Sequence, residues 1–453
     1  MKAPMLALLA ALSLAACAPP PASNPAPNAA SNSATPPSTS SAAEAPGPAT
    51  TPASAPSPDD PSPAPAPADR APIVQSNNAF AASLWGVLRA QPAHSGNLAV
   101  SPASITLALA MTFGGARGET AAEMKRVLHF DASADDIMRS AGELQRGWNT
   151  GKGPTILRTT NRLFGEITYT FEKPFLDATQ RSFGAPLEPV DFVKNYERAR
   201  QHINGWAQKQ TQDRIKDLIP PNGVNETTRL ALVNAVYFKA NWGSPFEVSK
   251  TRPSPFHLTS TDKKDVPTMN REGVYRFAEQ GRVRVLEMPY EGKDTSMVLL
   301  LPDAVDGLPA LEQSLTAAEL DRYIEAMTPE LVTVSLPKFQ VNPPSSIRLR
   351  ETLETLGMRL AFDIRSADFT GIANPQKTRD RLYVSEVFHK AFVELDEKGT
   401  EAAAATAVVM ARDSGLPPKP KVFRADHPFL FVLRDTKTGM ILFMGRVADP
   451  SSR

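Results

Sequence analysis

A chain of 453 residues with 49 Lys+Arg against 48 Asp+Glu has room for one large or two to three ordinary domains. It has no net field to draw it to nucleic acid or to an anionic membrane. The single cysteine, Cys17, excludes an intramolecular disulfide and a cysteine-based zinc site, so stability must come from packing.

Residues 1–17 read as a targeting segment. Lys2 supplies a short positive start, Met5 to Leu14 an apolar stretch, and Leu14-Ala15-Ala16-Cys17 a small-residue cleavage site. The stretch is too short to span a bilayer. Its ending resembles a bacterial lipobox, in which the cysteine is lipidated and becomes the first mature residue. The bland alternative is an ordinary signal peptide with an incidental cysteine. The position of the chain's one cysteine favours the lipobox, and with it a protein secreted across the inner membrane and held at the cell envelope.

Residues 18–72 contain no Leu, Ile, Val, Met or aromatic residue and hold 17 of the 43 prolines. Such a segment cannot bury enough apolar surface to offset the entropy of ordering. Its composition favours an extended polyproline spacer of about 3.1 Å per residue. The expected organisation is a signal peptide over 1–17, a disordered tether over 18–72 and a globular domain over 73–453.

In the globular part, Phe80, Leu84, Val87 and Leu88 fall at helical spacing. Ser101-Pro102 offers an N-cap with proline at the first helical position. The helix it opens, Ile105 to Phe113, is apolar nearly all round and should be buried. Tyr196, Ala199, Ile203 and Trp206 mark a further amphipathic helix. Strands are expected over Leu230–Phe238, Met297–Leu301, Leu331–Phe339 and Leu382–Leu395. Phe429–Leu433 and Met440–Met444 flank the turn residues Asp435 to Gly439, predicting a C-terminal hairpin. Helices come early and strands late, which favours an α+β architecture over a doubly wound sheet.

Enzyme chemistry finds little support. Gly114-Gly115-Ala116-Arg117-Gly118 lacks the lysine and spacing of a phosphate loop. The six histidines (94, 129, 202, 257, 389 and 427) are scattered, and no Gly-x-Ser-x-Gly occurs. The best enzymatic candidate is a penicillin-binding-like serine acyl transferase, with Ser260-Thr261-Asp262-Lys263 as Ser-x-x-Lys and Lys437-Thr438-Gly439 as Lys-Thr-Gly. The intermediate Ser-x-Asn motif is missing, and Ser260 lies in a hydrophilic run. Two surface turns explain the matches better.

The unusual segment runs from Glu397 through Met410. By propensity alone it is an alanine-rich helix capped by Thr400 and stopped by Gly415. Such a helix would have small residues on every face and no apolar stripe to dock. Read at period two, Thr400, Ala402, Ala404, Thr406, Val408 and Met410 share one face that grows larger along the chain. That pattern suits a segment sliding between two strands of a close-packed sheet. Gly399 supplies the pivot.

Glu397 to Thr406 resembles the proximal hinge of inhibitory serpins, and the likeness extends over essentially all of 73–450. Asn97 to Ile105, Gly114 to Thr120, Asn234 to Lys239 with Trp242 and Phe246, and Leu336 to Phe339 match in order. So do Ala367 to Ile372, Ser385 to Ala391, Phe423 to Phe429 and Leu442 to Arg446. The resemblance implies a serpin fold, with helices packed on three mainly antiparallel or mixed β-sheets and an exposed reactive-centre loop. It implies a suicide substrate. A target serine protease cleaves the loop as far as the acyl-enzyme, and the freed hinge then inserts as a new strand and distorts the trapped protease.

Carried onto this sequence, the hinge is Gly399, Thr400, Glu401, Ala402, Ala403, Ala404, Ala405 and Thr406. The shutter beneath the opening sheet is Ser101, Ser104, Asn234 and His389. The breach at its top is Trp242, Lys338 and Glu397. The family's 17-residue count from Glu397 places the reactive bond at Asp413–Ser414, whereas a trypsin-like target would favour Arg412–Asp413. Cys17 is the lipid attachment point. No cofactor, metal or nucleic acid is implied, and a monomer is expected. The rival from another class is a non-inhibitory serpin-fold binding or chaperone module. Such proteins often carry bulky or charged hinge residues where this chain has four alanines.

Overall fold

The computed structural model describes residues 72–149, 156–184, 187–378, 380–400 and 419–452. Cys17, the tether, the hinge from Glu401 to Thr406, and Arg412, Asp413 and Ser414 lie outside the described residues. Among the described residues of the first half there are six α-helices: α1 (Pro72–Leu88), α2 (Pro102–Phe113), α3 (Gly118–Val127), α4 (Ala134–Trp148), α5 (Lys173–Phe183) and α6 (Phe192–Gln210). Helix α2 starts where its chemistry requires. The Ser101 hydroxyl accepts from the Ser104 amide at 3.2 Å, and Pro102 occupies the first turn, where no donor is needed. All twelve residues of α2 are buried, as its apolar circumference demands.

The strands are β1 (Leu98–Val100), β2 (Ile156–Glu166), β3 (Leu187–Val190), β4 (Leu230–Asn241), β5 (Arg252–His257), β6 (Lys263–Gln280), β7 (Val283–Pro289), β8 (Thr295–Pro302) and β9 (Thr328–Pro337). They continue with β10 (Phe339–Val341), β11 (Ile347–Arg348), β12 (Phe388–His389), β13 (Val393–Leu395), β14 (Gly399–Thr400), β15 (Lys421–Arg424), β16 (Phe429–Asp435) and β17 (Ile441–Val447). A nine-stranded sheet runs β1–β17–β16–β8–β7–β6–β9–β15, with β5 also on β6. Strand β6 is 18 residues long; its start pairs with β5 and its end with β7, while β9 pairs along its middle, so it joins two sheet regions into one. The C-terminal hairpin is present as β16 and β17, both wholly buried.

A four-stranded sheet, β14–β4–β2–β3, lies elsewhere in the fold. Strands β2 and β4 pair antiparallel over ten positions, from Ile156 opposite Lys239 to Gly165 opposite Leu230. Two further pairs, β10–β13 and β11–β12, stand apart from it among the described residues. The expected α+β class holds. The described sheets number four rather than the three implied by resemblance, because β6 unites two regions and the 388–395 segment pairs separately.

Two expected strands differ in detail. Leu331–Phe339 is divided at Lys338: β9 pairs with β6, then the chain changes sheet and β10 pairs with β13. Leu382–Leu395 is not one strand. Its backbone polar groups bond outside any ladder, with the Val384 amide on the Ala361 carbonyl and the Val387 carbonyl receiving the Leu349 amide, each at 2.9 Å. Only β12 and β13 ladder.

Candidate functional site

At the C-terminal end of β13 the chain reverses in a tight turn. The Asp396 amide donates to the Gly399 carbonyl at 2.9 Å, and the Asp396 carboxylate accepts from the Lys398 amide at 2.8 Å. Strand β14 then returns antiparallel to β4, with Gly399 opposite Asn241 and Thr400 opposite Ala240. Thr400, the cap of the helix expected from propensity, is thus extended and paired in a sheet, and the alanine run that would follow it lies outside the described residues. Two bonds from the chain just past β4, the Trp242 amide to the Lys398 carbonyl at 2.7 Å and the Phe246 amide to the Glu397 carbonyl at 2.8 Å, tie the turn to the sheet.

Gly399 cannot carry a side chain here. A Cβ at that position would lie 2.2 Å from the Ala240 carbonyl oxygen, and its φ of +147° is a glycine conformation. The pivot read from the sequence is thus also a close approach of two backbones.

Lys338, Glu397 and Trp242 meet at this turn. Lys338 Nζ donates to Glu397 Oε2 and Thr251 Oγ1 to Oε1, both at 2.8 Å, while Trp242 Nε1 donates to the Asp396 carbonyl at 3.1 Å. Burial pushes the Glu397 carboxyl up, but the Lys338 ammonium and the Thr251 hydroxyl outweigh it and leave the group below its ordinary value. Trp242 stacks on Tyr290 with 4.6 Å between centroids and 5° between planes. Sequence reading missed Thr251, Asp396 and Tyr290. The first two are ordinary polar residues in loops, and Tyr290 looks like any aromatic at a strand end.

Farther along β4, Ser101, Ser104 and His389 also come together. The Ser101 hydroxyl donates to the Leu442 carbonyl at 2.7 Å while accepting from the Ser104 amide, and the Ser101 amide donates to His389 Nε2 at 3.0 Å. An accepting Nε2 places the ring proton on Nδ1. Complete burial holds the His389 pKa down at about 4. Asn234 stands in β4 opposite Asn161; its side chain lies outside the described residues. Among the described residues the Ser104 hydroxyl, on a residue 1% exposed, has no hydrogen-bond partner. It faces a cavity of about 50 Å³ lined also by Ile105, Leu109, Leu230, Leu232 and His389.

The depressed His389 pKa has a measurable consequence. The unfolded chain, with an ordinary histidine, binds a proton between pH 6.5 and 4 that the folded protein refuses. The stability tied to neutral His389 is therefore whole above pH 6.5 and lost as pH falls through that window, about 3 kcal/mol in all. Denaturant unfolding at pH 7 and 4.5 should show the wild type losing about 2–3 kcal/mol more than His389→Gln; equal losses would refute this.

The enzymatic motifs are placed as surface turns. Ser260 is exposed between β5 and β6 with its amide on Asp306, and Lys437 pairs with Asp294 at 2.7 Å in the β16–β17 turn. Among the described residues no group of three or more His, Cys, Asp or Glu is placed to hold a metal. No described helix is long and apolar enough to cross a membrane.

The sequence model described as serpin (serine protease inhibitor) matches residues 75–450. The leukocyte elastase inhibitor of Sus scrofa is 42% identical over 384 residues, covering 83% of this chain and 98% of that protein. Serpin B6 of Macaca fascicularis is 38% identical over 385 residues, covering 83% and 99%. Among solved structures, cleaved Serpin 42Da superposes with a TM-score of 0.74 at 29% identity, over 84% of this chain and 99% of that one. With a match that spans the described domain from end to end, the chain belongs to the serpin family of serine protease inhibitors.

Proposed function

We propose that this serpin is inhibitory: a suicide substrate that traps a serine endopeptidase by inserting its cleaved loop beside β4. The observation that carries this reading is the pairing of Gly399 and Thr400 with Asn241 and Ala240. Carried forward into the inserted strand, that register would set Ala402 opposite Phe238, Ala404 opposite Val236, Thr406 opposite Asn234, Val408 opposite Leu232 and Met410 opposite Leu230. Phe238 and Val236 are buried, so small inserting side chains fit there. Leu232 and Leu230 border the cavity, and there the inserting residues become large. Size along the loop thus follows the space along the strand.

The bait is assigned to Arg412–Asp413 for a trypsin-like target, with Asp413–Ser414 as the bond given by the family count. The lipobox at Cys17 and the proline-rich tether support a second part of the reading, a monomeric inhibitor anchored by lipid at the cell envelope. Fatty-acid labelling that survives in Cys17→Ala would refute the anchor.

Incubation with trypsin-like, elastase-like and subtilisin-like proteases should give an SDS-stable covalent complex with at least one of them. Mass spectrometry of the released fragment then identifies the bait residue. Cleavage without complex across the whole panel would instead favour a non-inhibitory binding module.

A further inference from the structure

Tyr290 is fully buried at the end of β7, bridged to Trp242 and stacked on its ring, with Phe238 edge-on at 5.3 Å. No water reaches such a phenol, and an unpaired hydroxyl in an aromatic wall is costly. Its partner is Thr400, 2% exposed, whose Oγ1 lies 2.7 Å from the Tyr290 oxygen. Burial raises the Tyr290 pKa well above the ordinary tyrosine value, so the group stays a neutral hydroxyl at any working pH.

We propose that the Tyr290 hydroxyl is a positioning group that seats Thr400 opposite Ala240 and so fixes the register in which the hinge enters the sheet. The proposal rests on the inhibitory reading for its consequence, though the seat itself is present in the intact fold. Two backbone residues alone define a register weakly. A slip of one residue would turn every following side chain to the opposite face of the sheet. The Tyr290–Thr400 bond removes that ambiguity, because it forms only when the hydroxyl-bearing residue points inward beside Ala240. Trp242 holds the phenol in place by stacking, and Gly399 permits the close backbone approach that brings Thr400 within reach.

Tyr290→Phe keeps the ring and its stacking and deletes only the hydroxyl. Two readouts test it. In the intact protein, amide exchange of the peptide spanning Asp396–Thr400 should accelerate about fivefold, the factor that one hydrogen bond of ordinary net strength carries. With a protease that the wild type traps, the ratio of inhibitor cleaved to inhibitor trapped should rise about fivefold, with an unchanged rate of loop cleavage.

Thr400→Val should do the same, Thr400→Ser should behave as wild type, and the Tyr290→Phe/Thr400→Val double variant should be no worse than either single one. Wild-type exchange in Tyr290→Phe, or additive effects in the double variant, would overturn the seat. Faster exchange with an unchanged trapping ratio would overturn its role in insertion. If the wild type is only cleaved and never trapped, the inhibitory reading fails by itself, and the exchange measurement still decides whether Tyr290 seats the hinge.

Discussion

Replacing Thr400 with arginine should turn this inhibitor into a substrate, lowering the trapped fraction about a hundredfold while leaving loop cleavage intact. Thr400 is 2% exposed, and its hydroxyl pairs with the neutral phenol of Tyr290. Tyr290 is the only described side chain that Thr400 hydrogen-bonds. A guanidinium at that place would lose its hydration without gaining a counter-charge, a penalty of several kcal/mol. A deficit of about 3 kcal/mol already corresponds to that hundredfold. Because Thr400 already occupies that place in the intact fold, the variant should release β14 from β4 rather than bury the charge, so the hinge loses the start of its entry into the sheet. Gel titration against a protease trapped by the wild type measures both outcomes; an undiminished SDS-stable complex from Thr400→Arg would contradict the insertion mechanism.

The second large effect is on heat resistance. Cutting the loop should raise the unfolding temperature by on the order of 10–15 °C. Twelve residues form β4, and Gly399 and Thr400 already face two of them, which leaves ten for an inserting strand to meet. At about 1 kcal/mol net per newly paired residue the gain is about 10 kcal/mol. Spread over the unfolding entropy of roughly 380 residues, that free energy gives the stated shift. Burial of Val408 and Met410 against Leu232 and Leu230 would add to it. Thermal unfolding of intact and cut protein makes the comparison directly. Equal midpoints would mean that no favourable insertion follows cleavage, and the protein would then be a serpin without a working spring.

Of the hinge, Gly399 and Thr400 are described, and their part in a strand was legible in the chain itself, though not by the most obvious rule. Helix propensity favoured a helix over the alanine run, which lies outside the described residues, while the structure pairs Thr400 with β4. Alternation at period two identified Thr400 as inward-facing, and it is buried. The difference lies in what each rule measures. Propensity weighs only the local backbone, whereas the pairing of Gly399 and Thr400 depends on a distant strand, with the neighbouring carbonyls of Glu397 and Lys398 held by donors on Phe246 and Trp242. The same competition broke the expected Leu382–Leu395 strand, whose apolar run has β character but whose hydrogen bonds go to Ala361 and Leu349.

Local chemistry was sufficient wherever partners are close in sequence. Ser101-Pro102 determined where α2 begins, the apolar circumference of that helix determined its burial, and Asp435 to Gly439 determined the final hairpin. The ordered series of short motifs determined the family. The resemblance already grouped Lys338 with Glu397 and Ser101 with His389; only the tertiary structure decided which atoms of each pair bond, and that Tyr290 meets Thr400 across 110 residues of chain. These contacts depend on the register of strands and on which face of each strand is turned inward. Register is a property of two chain segments together, so neither segment carries it alone.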